Sequence, residues 1–410
     1  MIPREEILDS ARQQGLNPDV IEKDYVLGWL LMKIARHPLL GQWVFKGGTC
    51  LKKCFFETYR FSEDLDFTVP KGVTYEGEAY RTALVECAEA LSDETGIQLP
   101  QSGIEVRESH DKGDRLTFQG RMSYRGPLMN QIATLPRVKI DLTQHEVIVE
   151  TPQRRRIHHF YSDAPDPPVS ILCYTANEVL AEKTRALYER QGRARDLYDV
   201  VNIDRNHREE IDAGQNRVVL QKKFEFKGLS LPPLAEFIGS IDRATLQANW
   251  DQQLRHQLPV LPSPDSYLQE LQETALAWIE ARAVIKELPR VRVEPGEVVV
   301  PRVAFPQMAT SGLSVGVPRV RSFAALGGPI DSIRYAARNR LCAEIHYHGV
   351  QRLTEPYSLR IKGTGDLLLY AYELLRGGAR TETIKAYKVA EIQGARITEQ
   401  PFQPRYAVEL

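Results

Sequence analysis

Two aspartates separated by a single residue lie in a segment whose polar and apolar side chains alternate. The segment, residues 60–67, reads Arg-Phe-Ser-Glu-Asp-Leu-Asp-Phe. Because successive side chains of a β-strand point to opposite faces, the pattern predicts a strand over residues 60–69 with Asp64 and Asp66 on one face. Arg60 and Ser62 share that face. A rise of about 3.3 Å per residue would put the two carboxylates about 6–7 Å apart.

Two carboxylates at this spacing repel each other unless a cation lies near them. Magnesium takes hard oxygen ligands, commonly one or two carboxylates together with substrate phosphates. Two such ions about 3.5–4 Å apart can activate an attacking oxygen and stabilise a leaving one. We therefore predict that Asp64 and Asp66 bind Mg²⁺, with two ions expected, together with the phosphates of a substrate.

A third carboxylate lies in a second alternating segment, Val-Lys-Ile-Asp-Leu at residues 138–142. Here Lys139 and Asp141 share one face and the apolar residues share the other. If this strand lies beside the first, Asp141 completes a site of three carboxylates. It would then be a ligand of the metal that activates the acceptor hydroxyl, or a general base.

A glycine-rich turn, Lys46-Gly47-Gly48-Thr49, joins a short apolar strand to a helix upstream of the aspartates. Paired glycines let backbone N–H groups approach phosphate oxygens closely, and a helix N-terminus favours anions. We expect these residues to bind the substrate phosphates, with Lys53 one helical turn further on. We also expect Arg60, Ser62 and Lys139 to contact the phosphorylated substrate, a nucleotide in the hypothesis developed below. The turn lacks the spacing of the phosphate-binding loop of ordinary ATPases, which excludes that class.

Composition and charge limit the remaining choices. The chain has 410 residues, with 53 basic and 54 acidic ones. Because the net charge is close to zero, a polyanion such as RNA has to bind to local basic patches. Two candidate patches are residues 154–159, Arg-Arg-Arg-Ile-His-His, and residues 222–227, Lys-Lys-Phe-Glu-Phe-Lys. With no apolar leader or membrane-length apolar run, we expect a cytoplasmic protein. The five cysteines form no Cys-x-x-Cys pair, which predicts reduced, buried thiols.

Three regions follow from the periodicity of the chain. Residues 1–283 alternate strand and helix patterns, including a helix that opens at Thr175. Residues 284–328 are rich in Pro, Val and Gly and predict a linker. Residues 329–410 predict a helix followed by short strands, over 341–348, 352–362, 367–375 and 384–398.

Together these segments resemble the AbiEii/AbiGii toxin family of nucleotidyltransferases, in the DNA polymerase β-like superfamily. The matching segments are Glu-Lys-Asp-Tyr at 22–25, Phe-Lys-Gly-Gly-Thr-Cys-Leu at 45–51, Arg-Phe-Ser-Glu-Asp-Leu-Asp at 60–66, Val-Leu-Ala-Glu-Lys at 179–183 and Arg-Ala-Arg-Asp-Leu-Tyr-Asp at 193–199. The resemblance implies an α+β fold, a mixed sheet flanked by helices. It also implies that the substrate is a nucleoside triphosphate (NTP), that Lys183 reaches the triphosphate and that Asp196 belongs to the active site.

The C-terminal region resembles the WYL family, whose domain is a small SH3/Sm-like β-barrel. The resemblance lies in Glu-Pro-Tyr-Ser-Leu-Arg at 355–360, Leu-Leu-Leu-Tyr-Ala-Tyr at 367–372 and Pro-Arg-Tyr at 404–406. The Trp-Tyr-Leu triplet of that family is replaced here by Leu367-Leu368-Leu369.

Three hypotheses for the function follow. The first is a Mg²⁺-dependent nucleotidyltransferase that modifies RNA, with tRNA as the expected acceptor. The family implies that it is the toxin of a toxin–antitoxin or phage-defence module, with a cognate antitoxin as partner. The second keeps the chemistry but transfers the nucleotide to a protein or small molecule. The third is a catalytically silent regulatory module with a ligand-sensing C-terminal domain.

Overall fold

A computed structural model describes residues 1–56, 59–111, 114–129, 135–275, 279, 288–300 and 328–410. The chain divides into two compact units. The first contains Met1–Pro259 and the described residues of 271–282, and the second contains Val260–Glu270 and most of the described residues after 282. The predicted linker, residues 284–328, falls largely outside the described residues, so its boundaries stay a prediction.

The first unit is built on a mixed seven-stranded sheet with the strand order β3-β4-β5-β2-β1-β7-β6. Two neighbouring pairs, β2 with β5 and β1 with β7, are parallel, and the other neighbours are antiparallel. The strands are β1 Val44–Lys46, β2 Asp64–Thr68, β3 Ile104–His110, β4 Leu116–Ser123, β5 Arg137–Thr143, β6 Gln153–Arg156 and β7 Ser170–Cys173. The α+β class with a mixed sheet is confirmed.

Helices flank this sheet. They are α1 Arg4–Gln14, α2 Pro18–Arg36, α3 Gly47–Cys50, α4 Gly77–Thr95, α5 Ala176–Glu189, α6 Ala194–His207, α7 Ala213–Phe226, α8 Leu234–Gly239 and α9 Arg243–Leu254. A π-helical turn, Leu51–Phe55, continues α3. Thr175 caps α5 as the sequence predicts, accepting a hydrogen bond from the backbone N–H of Glu178.

The strand that carries the aspartates is shorter than the sequence predicts. It begins at Asp64, not at Arg60. The guanidinium of Arg60 is drawn to the Asp199 carboxylate on α6, and the backbone N–H of Phe61 donates to the carbonyl of Gln257. These long-range bonds take the place of a sheet ladder, so Arg60 and Ser62 lie in the connection before β2.

Among its described residues, the second unit contains an antiparallel sheet and two α-helices. Five strands follow the order β12-β11-β10-β9-β13, and β8 pairs with β10. The elements are α10 Pro264–Glu270, β8 Glu297–Val299, α11 Pro329–Arg338, β9 Leu341–Tyr347, β10 Val350–Lys362, β11 Leu367–Arg376, β12 Ala379–Lys388 and β13 Ile392–Pro401. The last strand predicted from the sequence is thus two strands, β12 and β13.

The predicted SH3/Sm-like barrel is not found as a closed structure. Among the residues that the structure describes, β12 and β13 end the strand order and do not pair with each other. The turn at Gly377-Gly378, where both glycines have positive φ, reverses the chain between β11 and β12. The unit is therefore an open antiparallel sheet. None of the helices described in either unit is long and apolar enough to cross a membrane.

Lys53 forms a buried ion pair that fixes α2 against the π-helical turn. Its ammonium lies 2.8 Å from the Asp24 carboxylate and 3.0 Å from the Asp24 carbonyl oxygen. Burial alone would raise the pKa of Asp24, but the charges of Lys53 and Lys52 hold it below its ordinary value. The side chain predicted to bind phosphate is thus a structural partner of a buried carboxylate.

Replacing Lys53 with methionine should destabilise the fold, because it leaves the Asp24 carboxylate buried without a cation. We expect K53M to lower the free energy of unfolding by about 3–5 kcal/mol, measured by urea denaturation. The exposed Lys71 provides the control, and K71M should change stability by less than about 0.5 kcal/mol. Unchanged stability with weakened nucleotide binding in K53M would instead restore the phosphate-binding role.

Candidate active site

The three predicted carboxylates lie on two adjacent parallel strands. Asp66 of β2 is directly opposite Asp141 of β5, and Asp64 is opposite Lys139. Paired residues on neighbouring strands point to the same face, and the strands are about 4.8 Å apart. Asp64, Asp66 and Asp141 therefore share one face of the sheet, as the spacing in the sequence predicts.

The negative charges of these carboxylates repel one another, which raises the pKa of two of them. Burial, together with the charges of Asp141 and Asp64, raises the pKa of Asp66 to about 6 against the opposing effect of Lys46. Burial also raises the pKa of Asp64, and the Asp141 and Glu63 charges act in the same direction. A donor set of hard oxygens with unrelieved negative charge fits a divalent cation such as Mg²⁺.

Asp141 is held in place by two polar neighbours. The Lys139 ammonium lies 2.5 Å from one of its carboxylate oxygens, and the Gln119 amide donates to the other over 3.1 Å. Although burial opposes it, this hydrogen bond and the nearby carboxylates raise the pKa of Lys139. Lys139, predicted to contact the nucleotide, therefore contacts Asp141 and lies outside the lining of the cavity described below.

The glycine turn packs directly against the aspartate strand. Gly47 has φ of 80°, and a Cβ at this position would lie 2.3 Å from an Asp66 carboxylate oxygen. A Cβ on Gly48 would lie 2.8 Å from the Arg60 guanidinium and 3.0 Å from the Ser62 hydroxyl. Both glycines are needed because side chains of the site occupy the space that a Cβ would fill.

Thr49 has a role that the sequence does not predict. Its side chain is buried, and its hydroxyl donates to the backbone carbonyl of Asp64. This hydrogen bond links the turn to β2. Because Thr49 does not line the cavity described below, its hydroxyl is not positioned to donate to a phosphate. The predicted phosphate contact of Thr49 is replaced by a structural one.

A cavity of about 290 Å³ opens beside Asp64, Asp66 and the glycine turn, and Asp141 is not among its lining residues. One side carries Lys46, Gly47, Gly48, Arg60, Ser62, Asp64 and Asp66, and the other carries charged side chains of α5, α6 and the loop between them. The latter are Glu182, Lys183, Arg185, Arg190, Arg193, Arg195 and Asp196, with Glu146 nearby. The cavity thus joins acidic groups from the sheet to basic groups from the helices.

A buried ion-pair network joins the two sides. Asp199 of α6 accepts two hydrogen bonds of 2.7 Å from the Arg60 guanidinium, one of 2.6 Å from the Tyr59 hydroxyl, and contacts the Lys183 ammonium at 2.7 Å. Burial alone would raise the pKa of Asp199, but Arg60 and Lys183 hold it well below its ordinary value. Asp199, absent from the predicted site, positions two residues that belong to it.

Asp196 and Lys183 are neighbours, as the resemblance implies. The Lys183 ammonium is 3.6 Å from Asp196, and Arg190 contacts the second oxygen of the same carboxylate at 3.0 Å. Asp196 is buried, so it is not a surface ion pair of α6. It orients two cations that line the cavity.

Lys46 pairs with Glu182 across the cavity at 3.4 Å. Although both groups are buried, their mutual attraction raises the pKa of Lys46 and lowers that of Glu182 to about 2.

The two predicted RNA-binding clusters have central cations that are already paired. Lys223, from residues 222–227, is fully buried and contacts Glu178 at 2.6 Å. Arg155, from the other cluster, is paired with Glu210. Neither Lys223 nor Arg155 is thus available to RNA in this structure.

The sequence did not identify six charged lining residues: Glu146, Glu182, Arg185, Arg190, Arg193 and Arg195. Glu182 and Arg185 flank Lys183 on α5, where a run of charged residues interrupts an apolar helix face. That clustering was the available signal. Glu146 and Arg190 carried no local signal, since they follow the ends of β5 and α5.

Nucleotidyltransferase is the class that this sheet and this carboxylate–glycine site define, and comparison with known proteins supports it. The family model described as "Nucleotidyl transferase AbiEii toxin, Type IV TA system" matches residues 29–277, which is more than half of the chain. The protein therefore belongs to the AbiEii family of nucleotidyltransferase toxins. The match ends at residue 277, before the strands of the second unit, where the WYL resemblance stays a prediction.

Other comparisons add less. No curated protein matches the sequence. Among solved structures, the chain is similar to MenT4, a nucleotidyltransferase toxin from Mycobacterium tuberculosis, with 21% sequence identity and a TM-score of 0.39. The similarity covers 68% of this chain and 94% of that one. A similarity with this identity and TM-score gives no information about the site.

Gly47 offers a test of the turn. G47A should displace the Asp66 carboxylate, because the new Cβ would lie within 2.3 Å of it. We expect nucleotide transfer to fall on the order of 100-fold, measured with an α-labelled NTP. Gly72 has a comparable φ of 91° with no atom near its Cβ position. G72A should therefore carry the same backbone strain and keep its activity, whereas equal losses in both variants would attribute the effect to strain.

Proposed function

We propose that the protein transfers a nucleoside monophosphate from an NTP to an acceptor hydroxyl on RNA, with tRNA as the expected acceptor. The reaction would be Mg²⁺-dependent, and the protein would act in the cytoplasm as the toxin of its module. The observation that carries the proposal is the parallel register that sets Asp66 beside Asp141, next to the glycine turn. The family implies an NTP substrate and a cognate antitoxin.

In this proposal the three carboxylates form the metal site. Asp64, Asp66 and Asp141 would hold the magnesium ions, two being expected, which supply charge stabilisation for the attacking and leaving oxygens when bound. Asp141 is the residue proposed to assist loss of the acceptor proton. Lys139 and Gln119 keep its carboxylate oriented.

The triphosphate would lie between the glycine turn and the helices. Gly47 and Gly48 line the cavity at the N-terminus of α3, and Lys46 and Lys183 supply charge from opposite sides of the cavity. Burial and the neighbouring charges of Arg60 and Arg193 lower the pKa of Arg195. Like-charged guanidinium groups facing one cavity favour a polyanionic ligand. The acceptor hydroxyl attacks the α-phosphate, and pyrophosphate leaves.

Substitution of the aspartates tests the reaction. D64N and D66N should each reduce transfer of label from an α-labelled NTP by roughly 1,000-fold, because each removes one charge from the metal site. The fold should be retained, as checked by circular dichroism. D93N alters an exposed residue of α4 and should behave as wild type. Wild-type transfer by both D64N and D66N would overturn the proposal.

The acceptor is tested separately. Wild-type protein is incubated with each labelled NTP and, in parallel, with tRNA, total protein and small alcohols. Label that enters only tRNA supports the proposed acceptor, and label in protein or a small molecule identifies the second hypothesis. The silent regulatory module is not retained, because the chain belongs to an enzyme family with its three carboxylates intact.

A further inference from the structure

Three buried cysteines meet in the first unit. The sulfur atoms of Cys50, Cys54 and Cys173 all lie within 4.8 Å of one another. Each of these side chains is at most 4% exposed. All five cysteines are buried and free of disulfides, but the group within this distance contains only these three among the described residues. The linear sequence separates Cys173 from the others by more than a hundred residues and hides the group.

The cluster lies on the elements that build the active-site turn. Cys50 directly follows Thr49 on α3, and Cys54 is four residues later, on the same side of the helical segment. Cys173 lies on β7 and pairs with Phe45 of β1 in parallel register, next to Lys46. A ligand shared by the three sulfurs would therefore connect the helical segment that follows the glycine turn to β7, the parallel neighbour of β1.

The spacing suits a metal ion. With a metal–sulfur bond of about 2.3 Å, three sulfurs around one ion lie about 3.8–4.0 Å apart. The observed limit of 4.8 Å is larger by less than 1 Å, which side-chain rotation can supply. Three thiolates with no oxygen ligand favour soft cations, zinc and copper(I), over magnesium.

A positive charge near the cluster agrees with a metal site formed by the three sulfurs. Arg155 stacks over Phe55 at 4.1 Å, and its buried Nε has no hydrogen-bond partner. A cation-binding thiolate site carries net negative charge, and this guanidinium would offset part of it.

The alternative is that three small, weakly polar side chains simply fill space in the core. Cys87 of α4 is an example of such a residue, buried but outside the sulfur group. That interpretation explains the burial. It does not explain why the sulfurs of Cys50 and Cys54 on the helical segment and of Cys173 on β7 all lie within 4.8 Å of one another.

We propose that Cys50, Cys54 and Cys173 bind one thiophilic cation, zinc or copper(I), at a site separate from the carboxylates. Binding converts thiols to thiolates, forms the metal–sulfur bonds and releases the thiol protons to solvent. The bound ion would stabilise α3 and β1 beneath the glycine turn. The site does not depend on the proposed transferase reaction.

The test is metal content and sulfur spectroscopy of the full-length protein. The chain is expressed in medium supplemented with Zn²⁺, Cu²⁺ under reducing conditions, or Cd²⁺, so that the ion is present during folding. After gel filtration with excess Mg²⁺, we expect about one equivalent of soft metal per chain. Cadmium-loaded protein should show thiolate-to-metal charge-transfer absorption, and the zinc and copper cultures identify the preferred ion.

Matched variants assign the site. C173A should lose both the metal and the absorption band, whereas C87A removes a buried thiol outside the cluster and should keep both. D66N should also keep them, because it alters only the carboxylate site. Loading should raise the midpoint of thermal unfolding in wild type and C87A but not in C173A.

Several results would overturn the proposal. Wild-type protein without soft metal in any of the three cultures would do so whatever the variants show. So would equal metal content in wild type and C173A, or loss of metal in C87A as well as in C173A. Loss of metal in D66N would assign the ion to the carboxylates instead.

Discussion

The parallel pairing of β2 with β5 is the constraint on which the rest of the site depends. Its register sets Asp66 against Asp141, and burial raises the cost of two adjacent negative charges. Two nearby cations, Lys46 and Lys139, relieve part of that cost. A divalent ion would relieve more, so a groove that is unfavourable by itself becomes favourable when a metal is bound.

On the helical side of the cavity, Asp199 is the residue that positions the neighbouring cations. Removed from solvent, it stays charged because Arg60 and Lys183 both contact it. Such an arrangement is costly to desolvate and contributes little net stability. Its value is in geometry: one carboxylate holds an arginine from the connection before β2 and a lysine from α5 at the rim of the same cavity. The cations that face the triphosphate in our proposal are thereby held in place before any ligand arrives.

The two units differ in what can be concluded about them. In the first unit, family membership and the site geometry agree on the chemistry. The second unit is an open antiparallel sheet among the described residues, with buried charges of its own, such as Arg352 paired with Glu373 at 2.6 Å. Such a pair fixes the packing of β10 against β11. It does not indicate a ligand, and the family match does not extend there.

The sequence by itself determined the three aspartates, the glycine turn and the helix that opens at Thr175, because strand alternation, positive φ and helix capping are local rules. It did not determine where Arg60 or Lys53 would go, since their partners, Asp199 and Asp24, are 139 and 29 residues away. It missed the convergence of Cys173 with Cys50 and Cys54 for the same reason. Which buried charge or thiol meets which partner is decided only when distant segments pack, because only then is water removed and each polar group forced to find a neighbour.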